Sequence, residues 1–277
     1  MGEESSKIIL ATNLQRFTHR LHTEWLPAFC ADPDRQFSLS GFKDASIKIS
    51  DFDAENFLRA LDSGLVYDAG GGRYHCARSN AQEQIFWEGW KSVHPRPLTL
   101  WIEPVITIAT MARLRFDFGW PAEVLGMQSK DWAFDFAVYH SATDKNELIA
   151  GEVKTSSSEI DELVLQLRAY GQTGATAPLS AHSKHINSFK KWTALLQRRV
   201  PLFWAVGPGD YTRAFAVQYG PTGTAVFSDL DAGMLCASEF EKLSPLSCYA
   251  LPARNALARA ALMAAVNGFC AKRSGSC

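Results

Sequence analysis

At 277 residues, 47% of them hydrophobic and 21% charged, the chain can bury a substantial core in one large domain or two modest ones. With 28 Lys plus Arg against 29 Asp plus Glu it is almost neutral, which excludes a wholly basic nucleic-acid coat protein but leaves room for a local basic patch. No apolar run approaches the roughly 20 residues of a membrane-spanning helix, so no membrane partner is expected.

The first ten residues, MGEESSKIIL, are acidic and polar, unlike a secretory signal. Gly2 followed by Ser6 matches a myristoylation pattern, but Glu3 and Glu4 would repel an anionic membrane, and the match reads as chance. The six cysteines (Cys30, Cys76, Cys236, Cys248, Cys270 and Cys277) are scattered without a C-x-x-C pair. That usage fits reduced thiols in a cytoplasmic protein and offers no zinc or iron–sulfur framework.

Along the chain, Leu10, Leu14, Phe17, Leu21 and Leu26 predict a helix over 7–30. Ala54, Phe57, Leu58 and Leu61 predict a second over 51–64, closed by Gly64. Residues 65–77 read as a hairpin around a glycine turn. Helix followed by hairpin is the order of a winged-helix module; a small α/β appendage fits the same pattern. Residues 1–91 are therefore expected to form an N-terminal module. It would offer a surface to nucleic acid, a partner protein or a second copy of the chain.

The segment SVHPRPLT (92–99) has two prolines and few apolar residues and reads as a linker. A second domain over 99–277 is expected to run helix (103–118), strands (122–127, 132–140, 147–155) and helix (158–171). A basic helix (183–199) and strands (201–206, 213–219) follow, with an Ala-rich helix over 253–271. This alternation predicts an α/β fold with a mixed central sheet flanked by helices.

The chemistry concentrates on two of these strands. In DWAFDFAVYH, alternation puts Trp132, Phe134, Phe136 and Val138 on one face and Asp135 on the other, a lone acid mid-strand. A buried carboxylate persists when it is paired or holds a metal. In LIAGEVK, Glu152 and Lys154 share a face of the next strand. A D/E-x-K triplet is expected about once by chance at this composition, and Glu152-Val153-Lys154 is the only one here. Its weight comes from its place on an apolar strand that follows one bearing Asp135. Two adjacent strands would bring Asp135 and Glu152 to one hard divalent cation, which takes one or two carboxylates plus waters and substrate phosphate. Lys154 beside them would polarise an attacking water and counter charge growing on phosphorus.

On the following helix, Ser158 is a candidate N-cap with Asp161 in a capping-box position. Ile160, Leu163, Val164 and Leu167 form its core stripe. Gln166 and Tyr170, four residues apart, sit at the edge of that stripe.

Asp135, then Glu152-x-Lys154, then Gln166-x-x-x-Tyr170 resembles the PD-(D/E)xK nuclease superfamily, in particular its RecB-like members. The likeness covers about 103–206. It implies a restriction-endonuclease-like α-β-β-β-α-β core, Mg²⁺ dependence with Mn²⁺ able to substitute, and hydrolysis of phosphodiester bonds. It further implies that Asp135, Glu152 and Val153 hold the metal and that Lys154 positions the water. Gln166 and Tyr170 would orient the phosphate or the other site residues. Glu103, on the helix before the first strand, matches the place of an additional acidic residue; it also suits a helix N-terminus beside Pro104. The Asp is not preceded by Pro, and the iron–sulfur cysteines of some RecB-like nucleases are missing.

The helix over 183–199 carries Lys184, Lys190, Lys191, Arg198 and Arg199 and could hold a phosphate backbone; a solvated face reads equally well. His182 and His185 have metal-ligand spacing but no third ligand near them, and read as surface residues. The expectation is a Mg²⁺-dependent nuclease, DNA and endonucleolytic cleavage favoured, of the kind used in bacterial restriction or phage defence. The alternatives are a nuclease fold without turnover that binds nucleic acid, and a winged-helix regulator.

Overall fold

The computed structural model describes residues 11–220, 222–243 and the single position 264. The Gly2–Ser6 pattern, Cys248, Cys270, Cys277 and all of the Ala-rich helix except Ala264 lie outside the described residues.

The chain enters through α1 (Asn13–Arg20), held by a capping box between Thr12 and Gln15. Pro27 has no amide to donate, and the turn before α2 (Leu26–Cys30) widens into a π-helical one at Leu21–Trp25. Ser50 and Asp53 cap α3 (Asp51–Asp62), and Gly64 follows with φ +69. Next comes a three-stranded antiparallel sheet of β1 (Tyr67–Asp68), β2 (Arg73–His75) and β3 (Glu83–Gln84). The face of α3 turned to solvent carries Asp51, Glu55 and Arg59, with Arg59 paired to Asp117. An acidic surface of this kind repels phosphate, which argues against α3 as a DNA-reading helix.

The prolines of 92–99 sit in a hairpin joining β4 (Phe86–Glu88) to β5 (Leu98–Leu100), and Leu98 is fully buried. The expected linker is thus partly a strand. Its apolar residues pair rather than tether, because Phe86 and Leu98 both face the core.

From β5 the chain turns into α4 (Ile102–Ala112), nearly all of it buried. The principal sheet has six strands in the order β11-β10-β9-β8-β7-β6, all neighbours antiparallel except β8 with β9. They are β6 (Leu125–Met127), β7 (Phe136–Tyr139), β8 (Glu147–Val153), β9 (Leu202–Val206), β10 (Thr212–Tyr219) and β11 (Ala225–Leu230). The parallel step from β8 to β9 requires a crossover, supplied by α5 (Ser157–Thr173) and α6 (Ser183–Arg198). A short α7 (Ala237–Leu243) follows the last strand. The architecture is α/β with a mixed sheet flanked by helices, as expected from the alternation of elements.

Side chains alternate across β8, so each face builds its own core. Ile149 and Val153 join Phe17, Phe57 and Val105 under α1, α3 and α4. Ala150 joins Phe203, Leu167 and Trp192 under α5 and α6. The N-terminal helices therefore share one apolar cluster with the main sheet. Asp53 adds a tie across it by accepting a hydrogen bond from Gly209 N at 2.8 Å.

Several local expectations are corrected. β7 starts at Phe136, not 132, because Lys130–Trp132 form a tight turn with left-handed backbone at Asp131 and Trp132. Phe134 consequently packs with the α5 and α6 side, while Phe136 and Val138 face α4. The cap of α5 is Ser156, not Ser158, and accepts from Glu159 N. Asp161 instead bonds Tyr211 and Arg213. The strand β11 was not foreseen.

The register pairs Phe136 with Gly151. A Cβ on Gly151 would lie 1.9 Å from the Phe136 ring, deep in the core. Gly151→Ala is therefore expected to destabilise by about 1–3 kcal/mol or more, the cost of overpacking. Urea denaturation measures this, and an unchanged midpoint would show that the ring yields freely.

Candidate active site

The register that sets Phe136 against Gly151 also sets Asp135 against Glu152, one position further along both strands. Asp135 stands just before β7, where its backbone carbonyl still accepts from Gln128 N. Its Oδ2 accepts from Val153 N at 2.7 Å. Glu152 is 1% exposed and close to the end of β8. Two carboxyls opposite each other, Glu152 buried and Asp135 half-buried, repel. Burial, reinforced by the Glu152 charge, pushes the Asp135 carboxyl up to about 8.

Two ammonium groups answer the Glu152 charge. Lys154 Nζ donates to Oε1 and Lys191 Nζ to Oε2, each at 2.6 Å. Burial works against the Glu152 carboxylate, but Lys191 and Lys154 outweigh it and hold the group below its ordinary value. Lys154 also donates to the Val153 carbonyl at 2.9 Å and lies 3.6 Å from Glu103 Oε1. Burial disfavours its ammonium, yet Glu152, Asp135 and Glu103 keep it charged well above the usual lysine value. Glu103, in the first turn of α4, reaches the same site. Burial raises its carboxyl while Lys154 opposes the rise.

Glu152, Lys154, Lys191 and Glu103 line a cleft of about 700 Å³ at the end of the sheet, walled by α4, α5, α6 and the 131–133 turn, and Asp135 adjoins it through Val153 N. The predicted residues distribute unevenly around it. Gln166 lines the cleft, donating to Glu162 at 3.2 Å. Tyr170 is fully buried away from it; its hydroxyl donates to His185 O and accepts from Leu179 N, locking α5 to the start of α6.

The basic residues of α6 are mostly matched by acids. Lys184 pairs with Glu162, Arg198 with Glu147 and Asp131, and Arg199 lies over the Tyr219 ring. Lys190 is exposed. Lys191 is part of the central cluster rather than an outer phosphate contact. The helical spacing of Ser188, Lys191, Trp192 and Leu195 carried that signal, because it puts Lys191 on the inward stripe. His182 caps α6 through Nδ1, and His185 Nδ1 meets Ser180 Oγ at 2.6 Å.

The turn before Asp135 was not singled out by the sequence. Asp131 and Trp132 are both left-handed, with φ +58 and +56. Asp tolerates this region, but for Trp it costs about 1–2 kcal/mol. Trp132 N donates to Ser129 O, Ser129 Oγ accepts from Phe134 N, and Arg198 donates to Ser129 Oγ and Lys130 O. The turn is thus tied down on both sides.

Behind the site, Glu83 is buried on β3 and accepts from Gln128 Nε2 at 2.6 Å. Burial pushes its carboxyl up to about 7, the Gln128 bond opposing and the Glu103 charge adding to the rise. A folded-state value above the unfolded one means that its contribution is most favourable below about pH 4.5 and is lost as pH rises through about 7. Glu83→Gln is therefore expected to gain up to about 3 kcal/mol above pH 7 and nothing below pH 4. Thermal melts across that range test the sign; a variant weaker at pH 8 would show that the charge is needed.

Among the described residues, no group of three or more His, Cys, Asp and Glu is arranged to hold a metal. The donors that are present are hard oxygens: two carboxylates and the Val153 carbonyl. That set suits Mg²⁺, which takes few protein ligands and keeps its waters. Asp135 and Glu152, whose charges oppose each other even with Lys154 and Lys191 beside them, are carboxylates that a divalent cation would suit.

Comparison with known proteins finds no matching family model, no similar curated protein and no similar solved structure. The class of this protein has to be argued from its own residues.

Proposed function

We propose that this chain is a Mg²⁺-dependent nuclease of the PD-(D/E)xK type that hydrolyses phosphodiester bonds, DNA and internal cleavage favoured. The observation that carries the reading is the meeting of Glu152, Lys154 and Glu103 in one cleft at the end of β8, with Asp135 beside them on Val153 N. The run α4-β6-β7-β8-α5, closed by β9 parallel to β8, is the order that a restriction-endonuclease-like core requires.

Asp135, Glu152 and the Val153 carbonyl would hold the cation, which when bound supplies Lewis-acid stabilisation of a phosphoryl oxygen. Lys154, charged throughout the neutral range, would orient the attacking water and offset negative charge developing on the phosphate. Glu103 would keep the Lys154 ammonium aimed into the cleft, and Gln166 would contact a phosphate oxygen. Lys190 and Lys184, at the cleft wall, would meet the neighbouring backbone. A place in restriction or phage defence is the setting such an enzyme suits.

One observation favours the reading without turnover: both Glu152 oxygens already bond ammonium groups, so the site neutralises itself. Incubating the protein with plasmid, linear and single-stranded substrates, with Mg²⁺ and with EDTA, separates the two. Mg²⁺-dependent products support the nuclease, and binding without products supports the alternative.

A further inference from the structure

We infer that Trp132 is a stacking platform for an unpaired base, so that the strand lying in the cleft presents single-stranded or flipped-out nucleotides beside the scissile phosphate. The inference rests on the nuclease reading for the identity of the ligand as nucleic acid.

Trp132 lines the cleft three residues before Asp135, and it is 73% exposed. The left-handed backbone that carries it is unfavourable for a bulky residue, and no burial of the ring repays the strain. Of the five non-glycine residues with positive φ among those described, Gln128, Asp131 and Trp132 lie in this one segment. Strain gathered at a cleft and unexplained by packing marks a binding surface. The turn is also rigid, since Arg198 and Ser129 fix its backbone from both sides. A large flat ring carried into water on a fixed backbone suits stacking, since a tryptophan loses little conformational freedom on contact.

The surroundings select the partner. Lys190 and Lys184 line the same cleft from α6, both exposed, with Lys184 paired to Glu162, and can meet backbone phosphates. An anionic chain carrying flat rings satisfies both the lysines and the ring. In a duplex interior the faces of each base are covered by its neighbours, so the ring can stack only on a base that is unpaired, terminal or flipped out.

The test is binding, read by fluorescence anisotropy of the full chain with EDTA and again with Ca²⁺. The probes are a labelled single strand, the same strand with abasic sites, and a blunt duplex of that sequence. Trp132→Ala is expected to weaken single-strand binding about 10-fold or more, and duplex binding, where only terminal bases are open to the ring, much less. Trp132→Phe should retain most of the affinity, and wild type should bind the abasic strand about as weakly as the alanine variant binds the intact one. Equal single-strand affinity in wild type and Trp132→Ala overturns the inference, as does an equal loss on the abasic strand. Lys154-dependent cleavage with no Trp132 effect removes the platform and leaves the nuclease. Trp132-dependent strand binding by a wild type that cleaves nothing removes the nuclease and leaves the platform. Absence of binding to every probe overturns both.

Discussion

Lys154→Ala is expected to lower the rate of cleavage by about 100-fold or more, the scale of losing one electrostatic stabiliser of the transition state. The substitution is a clean one. Lys191 remains on Glu152 Oε2, so the buried carboxylate keeps a counter-charge and the fold should persist. Asp135, Glu152 and the Val153 carbonyl also remain, and the carbonyl is relieved of the Lys154 hydrogen bond. Cation binding should therefore survive, strengthened by the loss of a neighbouring like charge. Substrate affinity should change little, because one phosphate contact among several is removed. Single-turnover cleavage and cation titration on the same preparation separate these terms. Wild-type cleavage in the variant would make Glu152 and Lys154 a structural ion pair and remove the centre of the proposal.

Asp135→Asn should act in two opposite directions. Asparagine can still accept the Val153 N–H but carries no charge opposite Glu152. The folded-state value of Asp135, about 8, lies above its unfolded value. Its ionisation therefore opposes folding increasingly as pH rises from about 4 to 8, and fully above that. Without divalent ions the variant should be more stable than wild type by a few kcal/mol at pH 8. With them the gap should narrow. A cation at 100 times its Kd adds about 2.7 kcal/mol to a protein that binds it, and the variant should lose that gain. Melting curves with Mg²⁺, Mn²⁺ and EDTA measure both effects. A full cation shift in Asp135→Asn would remove Asp135 from a shared site.

The same contrast explains which parts of the site were legible beforehand. Glu152 and Lys154 could be placed together because strand periodicity is local: residues two apart share a face whatever surrounds them. The partnership of Asp135 with Glu152 was legible because a short polar turn, KNE, joins two apolar strands and makes them neighbours. The position of Asp135 within its strand was not. W-A-F-D-F alternates cleanly, and the left-handed pair at Asp131 and Trp132 that makes the strand start late leaves no mark in that pattern. Three consecutive serines each suited the cap of α5, and the contact from Glu159 decided for Ser156. Tyr170 had the right spacing beside Gln166, yet the packing of α6 turned its hydroxyl to the His185 carbonyl.

By itself, then, the amino-acid order determined the α/β class, the mixed sheet and the face shared by Glu152 and Lys154. These follow from hydrophobic period and chain connectivity, which act over a few residues. Tertiary structure alone decided the partners of the charges. It brought Lys191 from α6 to Glu152, thirty-nine residues apart in sequence, and Glu103 from α4 to Lys154. It also left Trp132 standing in solvent. A charge or an aromatic ring shows only its kind in the sequence; which neighbour it meets is set by the packing of helices that are distant along the chain.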